Sequence, residues 1–188
     1  MTCTIDKNNY LVNDKIHIAF TPNENYNLNF ILSILNSYFL SYFSKMMFGN
    51  YLEIKINQLE LLPIPVIELK EQTPFITLVD YLLFLHNKAN EPILSHTENS
   101  LIASHIEDVL NMMVYELYFE QHMKEVGIDV LQFIHPKPID NINNNTAKGE
   151  IMKDFYQWYQ TPENPVRQRI LLVDTRSADK IGLINKSV

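Results

Sequence analysis

In three separate segments the apolar residues recur three and four positions apart, and no other feature constrains the fold as much. Leu28, Ile31, Leu32, Leu35, Phe39, Tyr42, Phe43 and Met46 form the first stripe. Phe75, Leu78, Val79, Leu82 and Leu85 form the second, and Ile102, Ile106, Val109, Met113 and Leu117 the third. A side chain returns to the same side of a helix about every 3.6 residues, so each stripe reads as the buried face of an amphipathic helix. Gly49 and Gly127 are placed to end the first and third, because glycine accepts C-cap geometry without strain. Thr73-Pro74 offers the second an N-cap and first-turn pair, and that helix should run to about Lys88. The third should start near Thr97–Glu98.

Two further helices are expected. Thr146 can cap one that turns Ile151, Phe155 and Trp158 inward, and Asn164-Pro165 can open another, VRQRILLVD. The tail after Ser177 is expected to be loosely attached. Elsewhere the period falls to two. NYLVNDKIHIAF at 9–20 reads as two short strands around Asn13-Asp14. Tyr51 to Ile56 places Leu52, Ile54 and Ile56 on one face and Tyr51, Glu53 and Lys55 on the other. Pro63 and Pro65 lack the N–H that a central strand needs, so 62–66 should leave as an extended strap. The expected fold class is α+β, mostly helical, with short N-terminal strands and about five helices. Residues 1–70 would form a strand/helix/strand part, with a helical part, 71–188, packed on it.

Charge is unevenly spread. The net charge is −7, but residues 1–58 balance to zero, 59–150 carry −9 and 151–188 carry +2. Phosphate contacts need Lys and Arg, so the acidic middle counts against nucleic acid while the neutral first third does not. One cysteine, Cys3, excludes an internal disulfide and a Cys-cluster zinc site. No secretion signal is visible, and polar residues break the apolar stretch 28–48, so no membrane partner and a cytoplasmic location are expected.

Catalytic patterns are weak. Glu53-Ile54-Lys55 has the E-x-K spacing of a metal-dependent nuclease, but no second carboxylate lies on an evident neighbouring strand. The six histidines form no ligand pair, and the four glycines stand alone, so neither a metal site nor a phosphate loop is expected. A binding surface is better supported. Lys45, Asn50, Tyr51, Lys55, Asn57 and Gln58 gather cations and amides around Gly49. Lysine can meet phosphate, and Asn or Gln can pair bidentately with adenine. A hydrated edge strand guarded by charges is the competing explanation. Arg167, Arg169 and Arg176 form a second basic group for which salt bridges are an equal expectation. The aromatic run YELYF at 115–119 lies inside an apolar stripe and should pack in the core rather than stack on bases.

Five segments together resemble one family: ILNSYFLSYFSKMM at 34–47, GNYLEIKINQLELLPIP at 49–65, VYELYF at 114–119, GIDVLQFI at 127–134 and NPVRQRILLVDTRS at 164–177. Their order is similar to the Taq-type C-terminal specificity, or target-recognition, region of type IIG restriction–modification enzymes. Those are fused endonucleases and adenine-N6 DNA methyltransferases. The resemblance implies sequence-specific recognition of double-stranded DNA for upstream methyltransferase and nuclease domains or a separate subunit. Neither an N-P-P-Y motif nor a Gly-containing S-adenosylmethionine motif occurs here. S-adenosylmethionine and Mg²⁺ are therefore expected on the missing catalytic modules and no cofactor in this chain. The alternative is a helical protein–protein interaction module with an acidic surface and no DNA contact.

Overall fold

The computed structural model describes residues 3–6, 25–49, 55–87 and 91–188. Among these residues there are eight α-helices: α1 (Leu28–Leu35), α2 (Tyr38–Phe48), α3 (Ile56–Leu59), α4 (Leu69–Leu85), α5 (Asn99–Val126), α6 (Asn145–Gln160), α7 (Pro165–Arg176) and α8 (Ile181–Ser187). A 3₁₀ turn at Leu131–Phe133 follows α5. Among the described residues no strand or sheet forms, only one bridge between Leu94 and Thr97, so the α+β expectation is corrected to an all-helical architecture. Residues 9–20 and 51–54, which carry the expected strands, lie outside the described residues. Ile56, the last residue of the second alternation, instead opens α3. The Gln58 side-chain Oε1 accepts the Lys55 backbone N–H at 2.8 Å, and that local bond favours a helical turn over continued extension.

The first stripe is not one helix but two. Asn36 ends α1, and Ser37 caps α2 by accepting the Leu40 N–H at 3.1 Å while its hydroxyl donates to Ile34 O at 2.7 Å. Asn36 also pairs twice with Cys3, accepting its N–H at 2.7 Å and donating to its carbonyl at 2.9 Å. Of the stripe only Leu32 is buried, Leu28 and Met46 are exposed, and the wholly buried residues of the two helices are Phe30, Ile34 and Leu40. α4 starts a turn earlier than Thr73-Pro74, since Glu71 accepts the Glu68 N–H at 3.0 Å and closes a capping box.

α5 is the axis of the core. It packs against α1, α2, α4 and α7, and Ile102, Ile106, Val109, Met113 and Val114 are all buried. Phe119 departs from helical geometry, with φ −128° and ψ 31°, and marks a kink. The YELYF run packs as expected. Tyr115 is buried, and the Phe39 ring lies 4.0 Å from that of Tyr118 and edge-on to Phe119 at 5.4 Å. No helix among the described residues is long and apolar enough to cross a membrane.

The segment after Ser177 is attached, contrary to expectation. Ile181 and Ile184 of α8 are buried, and α8 packs on α2 and α7. Gly127 ends α5 as the sequence indicates, at φ +69° and ψ 42°. A Cβ there would lie 2.9 Å from Arg176 Nη1, which donates to the carbonyls of Val126 and Gly127 at 3.1 and 3.0 Å. Gly127→Ala is therefore expected to lower stability by about 1–3 kcal/mol, from left-handed strain and a displaced cap. Chemical denaturation of the two proteins measures it.

Candidate nucleic-acid interface

The described residues among those proposed for recognition, Lys45, Lys55, Asn57 and Gln58, fall on α2 and at α3. Lys45 sits in the last turn of α2, which Gly49 terminates at φ 80° by donating its N–H to Lys45 O at 2.9 Å. The side chain of Lys45 is exposed, but its Nζ donates to Ser187 O at 2.9 Å in α8. A cation at a helix C-terminus meets unpaired carbonyls and the negative end of the dipole, so this lysine is tethered before any ligand arrives. Asn50 and Tyr51 lie outside the described residues.

Lys55 and Asn57 differ from Lys45. Both are exposed, and neither side chain meets a hydrogen-bonding or ionic partner among the described residues. Gln58 is half-buried, and its amide oxygen accepts the Lys55 N–H, which turns the amide toward its own backbone. Bidentate pairing with adenine needs both amide atoms to face the base edge together, so Gln58 would first have to turn out of that cap. No hydrogen bond joins Lys45 to the Lys55–Gln58 turn among the described residues.

The strap after α3 is held from below. Leu62 is buried, and the Tyr118 hydroxyl beside the α5 kink donates to Pro63 O. Burial pushes the Tyr118 pKa well above the ordinary phenol value. The free face of α3 thus rests on a strap anchored to the core helix.

Other candidates resolve into structural roles. Arg167 donates to Gln160 O at 3.1 Å, Arg169 to Pro165 O at 3.1 Å, and Arg176 to the end of α5. Among the described residues these arginines bond carbonyls rather than forming the carboxylate salt bridges given equal weight; Arg167 and Arg176 meet the carbonyls left without partners at the ends of α6 and α5. His122 Nε2 lies 2.8 Å from Ser177 Oγ, a nucleophile–base spacing. Lys180 Nζ stands 3.3 Å from His122 Nδ1, and an ammonium only donates, so Nδ1 accepts and Nε2 carries the hydrogen. That tautomer cannot take a proton from Ser177, which is fully buried and accepts the Ile181 N–H at 3.3 Å. The cluster anchors α8. Among the described residues no three His, Cys, Asp or Glu side chains gather to hold a metal.

One feature escaped the sequence reading altogether. Tyr81, Phe133 and a face of α6 enclose a cavity of about 240 Å³. Its residues come from three distant segments, so no local pattern announces it.

No curated protein and no solved structure matches the chain. The matched family spans α1, α2, α3 and the first residues of the strap. The family model of the TaqI-like C-terminal specificity domain matches residues 1–64, about a third of the chain, so that part is similar to a domain of this type.

Proposed function

We propose that the chain reads DNA sequence as the C-terminal specificity portion of a type IIG restriction–modification enzyme. Adenine-N6 methylation and cleavage would be carried by methyltransferase and nuclease modules outside these 188 residues. The specificity-domain match over residues 1–64 carries this reading. It is supported by Lys55 and Asn57 near the end of that span, both exposed and without a side-chain partner among the described residues. S-adenosylmethionine and Mg²⁺ belong to the proposed partner modules. The described residues do not fit either, offering neither a glycine-rich loop nor a carboxylate cluster.

Labour is divided by chemistry. The catalytic module grips the duplex and extrudes the adenine. Lys55, with Lys45 if it leaves Ser187, neutralises phosphate and sets the register. Asn57 and, after uncapping, Gln58 reach base edges, where one good bidentate pair is worth about 1–3 kcal/mol of discrimination. The acidic middle segment turns away from DNA and toward the partner module.

Methylome sequencing of cells carrying the full system identifies the cognate site, and fluorescence anisotropy on that duplex then tests the residues. Lys55→Ala should weaken binding to all sequences alike and reduce the logarithmic salt slope by about one. Asn57→Ala should leave that slope unchanged and relax selectivity at one base pair by roughly tenfold or more. Lys45→Ala and Gln58→Ala complete the set. Unaltered binding in all four variants would remove this surface from the interface.

A protein-only interaction module is the second reading. Met46, Met47, Ile56, Leu61, Val66 and Leu69 are all more than half exposed, and they crowd into the same stretch of chain. Partner binding without salt-dependent DNA affinity would favour that reading.

A further inference from the structure

The cavity between α4, the segment after α5 and α6 lies outside the span matched by the specificity-domain family. Its walls are aromatic. Tyr81 meets Phe155 edge-on with centroids 5.7 Å apart, and Phe155 lies 5.3 Å from Trp158. Phe133 closes another side, with the Arg169 guanidinium over its ring at 4.3 Å. The Tyr81 hydroxyl is committed to Lys137 O at 2.7 Å, so this side chain presents only its ring. Ile151, Asp154, Phe155 and Trp158 follow helical spacing and form one face of α6. That face was expected to be core. Ile151 and Trp158 remain half-exposed because they border an open volume instead.

Three polar side chains complete the lining: His135, Lys137 and Asp154. Lys137 and Asp154 carry opposite charges beside one cavity, yet they form no ion pair with each other. Nor does either side chain bond any other described residue. Apolar walls with a few unspent polar groups are the usual composition of a small-molecule site. A phosphate would call for several backbone N–H donors at a helix N-terminus or a glycine-rich loop, and the cavity has neither.

We propose that this cavity binds a free aromatic amino acid or a close analogue. The ring lies between Phe133, Phe155 and Trp158, the carboxylate meets Lys137, and the ammonium meets Asp154. The inference is independent of DNA recognition.

Trp158 is the chain's single tryptophan, so its emission, excited at the red edge of its absorption, reports this cavity directly. Titration of the full chain uses phenylalanine, 3-phenylpropionate, 2-phenylethylamine and adenosine monophosphate. The first three share a ring and differ only in charge. Phenylalanine should give a saturable change and bind about fivefold tighter than either singly charged analogue, the upper range for one exposed ion pair. Lys137→Met should reduce phenylalanine to the affinity of the amine, and Asp154→Asn to that of the acid. Both side chains are exposed and unbonded, so folding should survive. The proposal is overturned by no saturable change at millimolar phenylalanine, by equal affinities across the ring series, or by tighter binding of adenosine monophosphate.

Discussion

Glu116→Ala is expected to destabilise the protein by about 2–5 kcal/mol, whereas Glu116→Gln should stay within about 1 kcal/mol of the parent. Glu116 is 4 % exposed, and its Oε2 accepts the N–H groups of Val130 and Leu131 at 2.5 and 2.8 Å. Alanine leaves two donors without an acceptor where the chain enters the 3₁₀ turn. Glutamine keeps a carbonyl oxygen in place without a buried charge. Burial raises the Glu116 pKa above its ordinary 4.5. The N–H bonds from Leu131 and Val130 oppose that rise, and the nearby Asp129 adds to it. The sign follows from proton binding. Between pH 4.5 and the raised folded value, the native state holds more protons than the unfolded one, so stability falls as pH rises through that window. Denaturant titrations at several pH values should show this loss in the parent and not in Glu116→Gln. Parallel profiles would mean that Glu116 is not the group responsible.

Phe30→Ala should cost about 3–5 kcal/mol, a large share of the roughly 5–15 kcal/mol that holds a domain of this size. Phe30 is wholly buried and meets Phe75 edge-on at 5.4 Å, which joins α1 to α4. The seam is reinforced beside it. Asn29 donates to Asp80 at 2.7 Å, and the buried Gln72 accepts the Asn27 N–H at 3.0 Å while donating to Asn25 O at 2.7 Å. Removing the ring leaves these polar bonds and opens a void, so the loss measures packing. Urea unfolding should show a lower midpoint with little change in slope, and Phe30→Leu should recover more than half the loss. A fall of under 1 kcal/mol would show that the seam collapses around the gap.

Helix ends were legible where one strong capping residue marked them. Asn164-Pro165 opens α7 as read, because Asn164 Oδ1 accepts the N–H groups of Val166 and Arg167, both at 3.0 Å. Gly127 closes α5 for an equally local reason. The start of α6 shifted by two residues, since Asn144 rather than Thr146 accepts the first free N–H groups. The break at Asn36-Ser37 was hidden because the apolar stripe runs on through it. Alternation misled at Ile56, which opens α3, because a two-residue period says nothing about a capping side chain. The family resemblance was read on segments from 34 to 177, but the family match covers residues 1–64 alone, and likeness could not show that Lys45 is tied to α8 or that Gln58 already caps α3. The aromatic cavity was invisible for a topological reason: Tyr81, Phe133 and Trp158 are neighbours only after folding.

The docking of α8 on α2 also bears on how the protein is made. Lys45 and Ser187 are 142 positions apart in sequence, and the Tyr115 hydroxyl donates to Asn185 at 2.6 Å across a further 70. Contacts of such separation close late, since loop entropy must be overcome before they return any energy. During synthesis α2 leaves the ribosome long before the helix that covers it exists. Its flank therefore stays open while the 142 positions that separate Lys45 from Ser187 are added, and α2 is covered only when residue 187 has emerged.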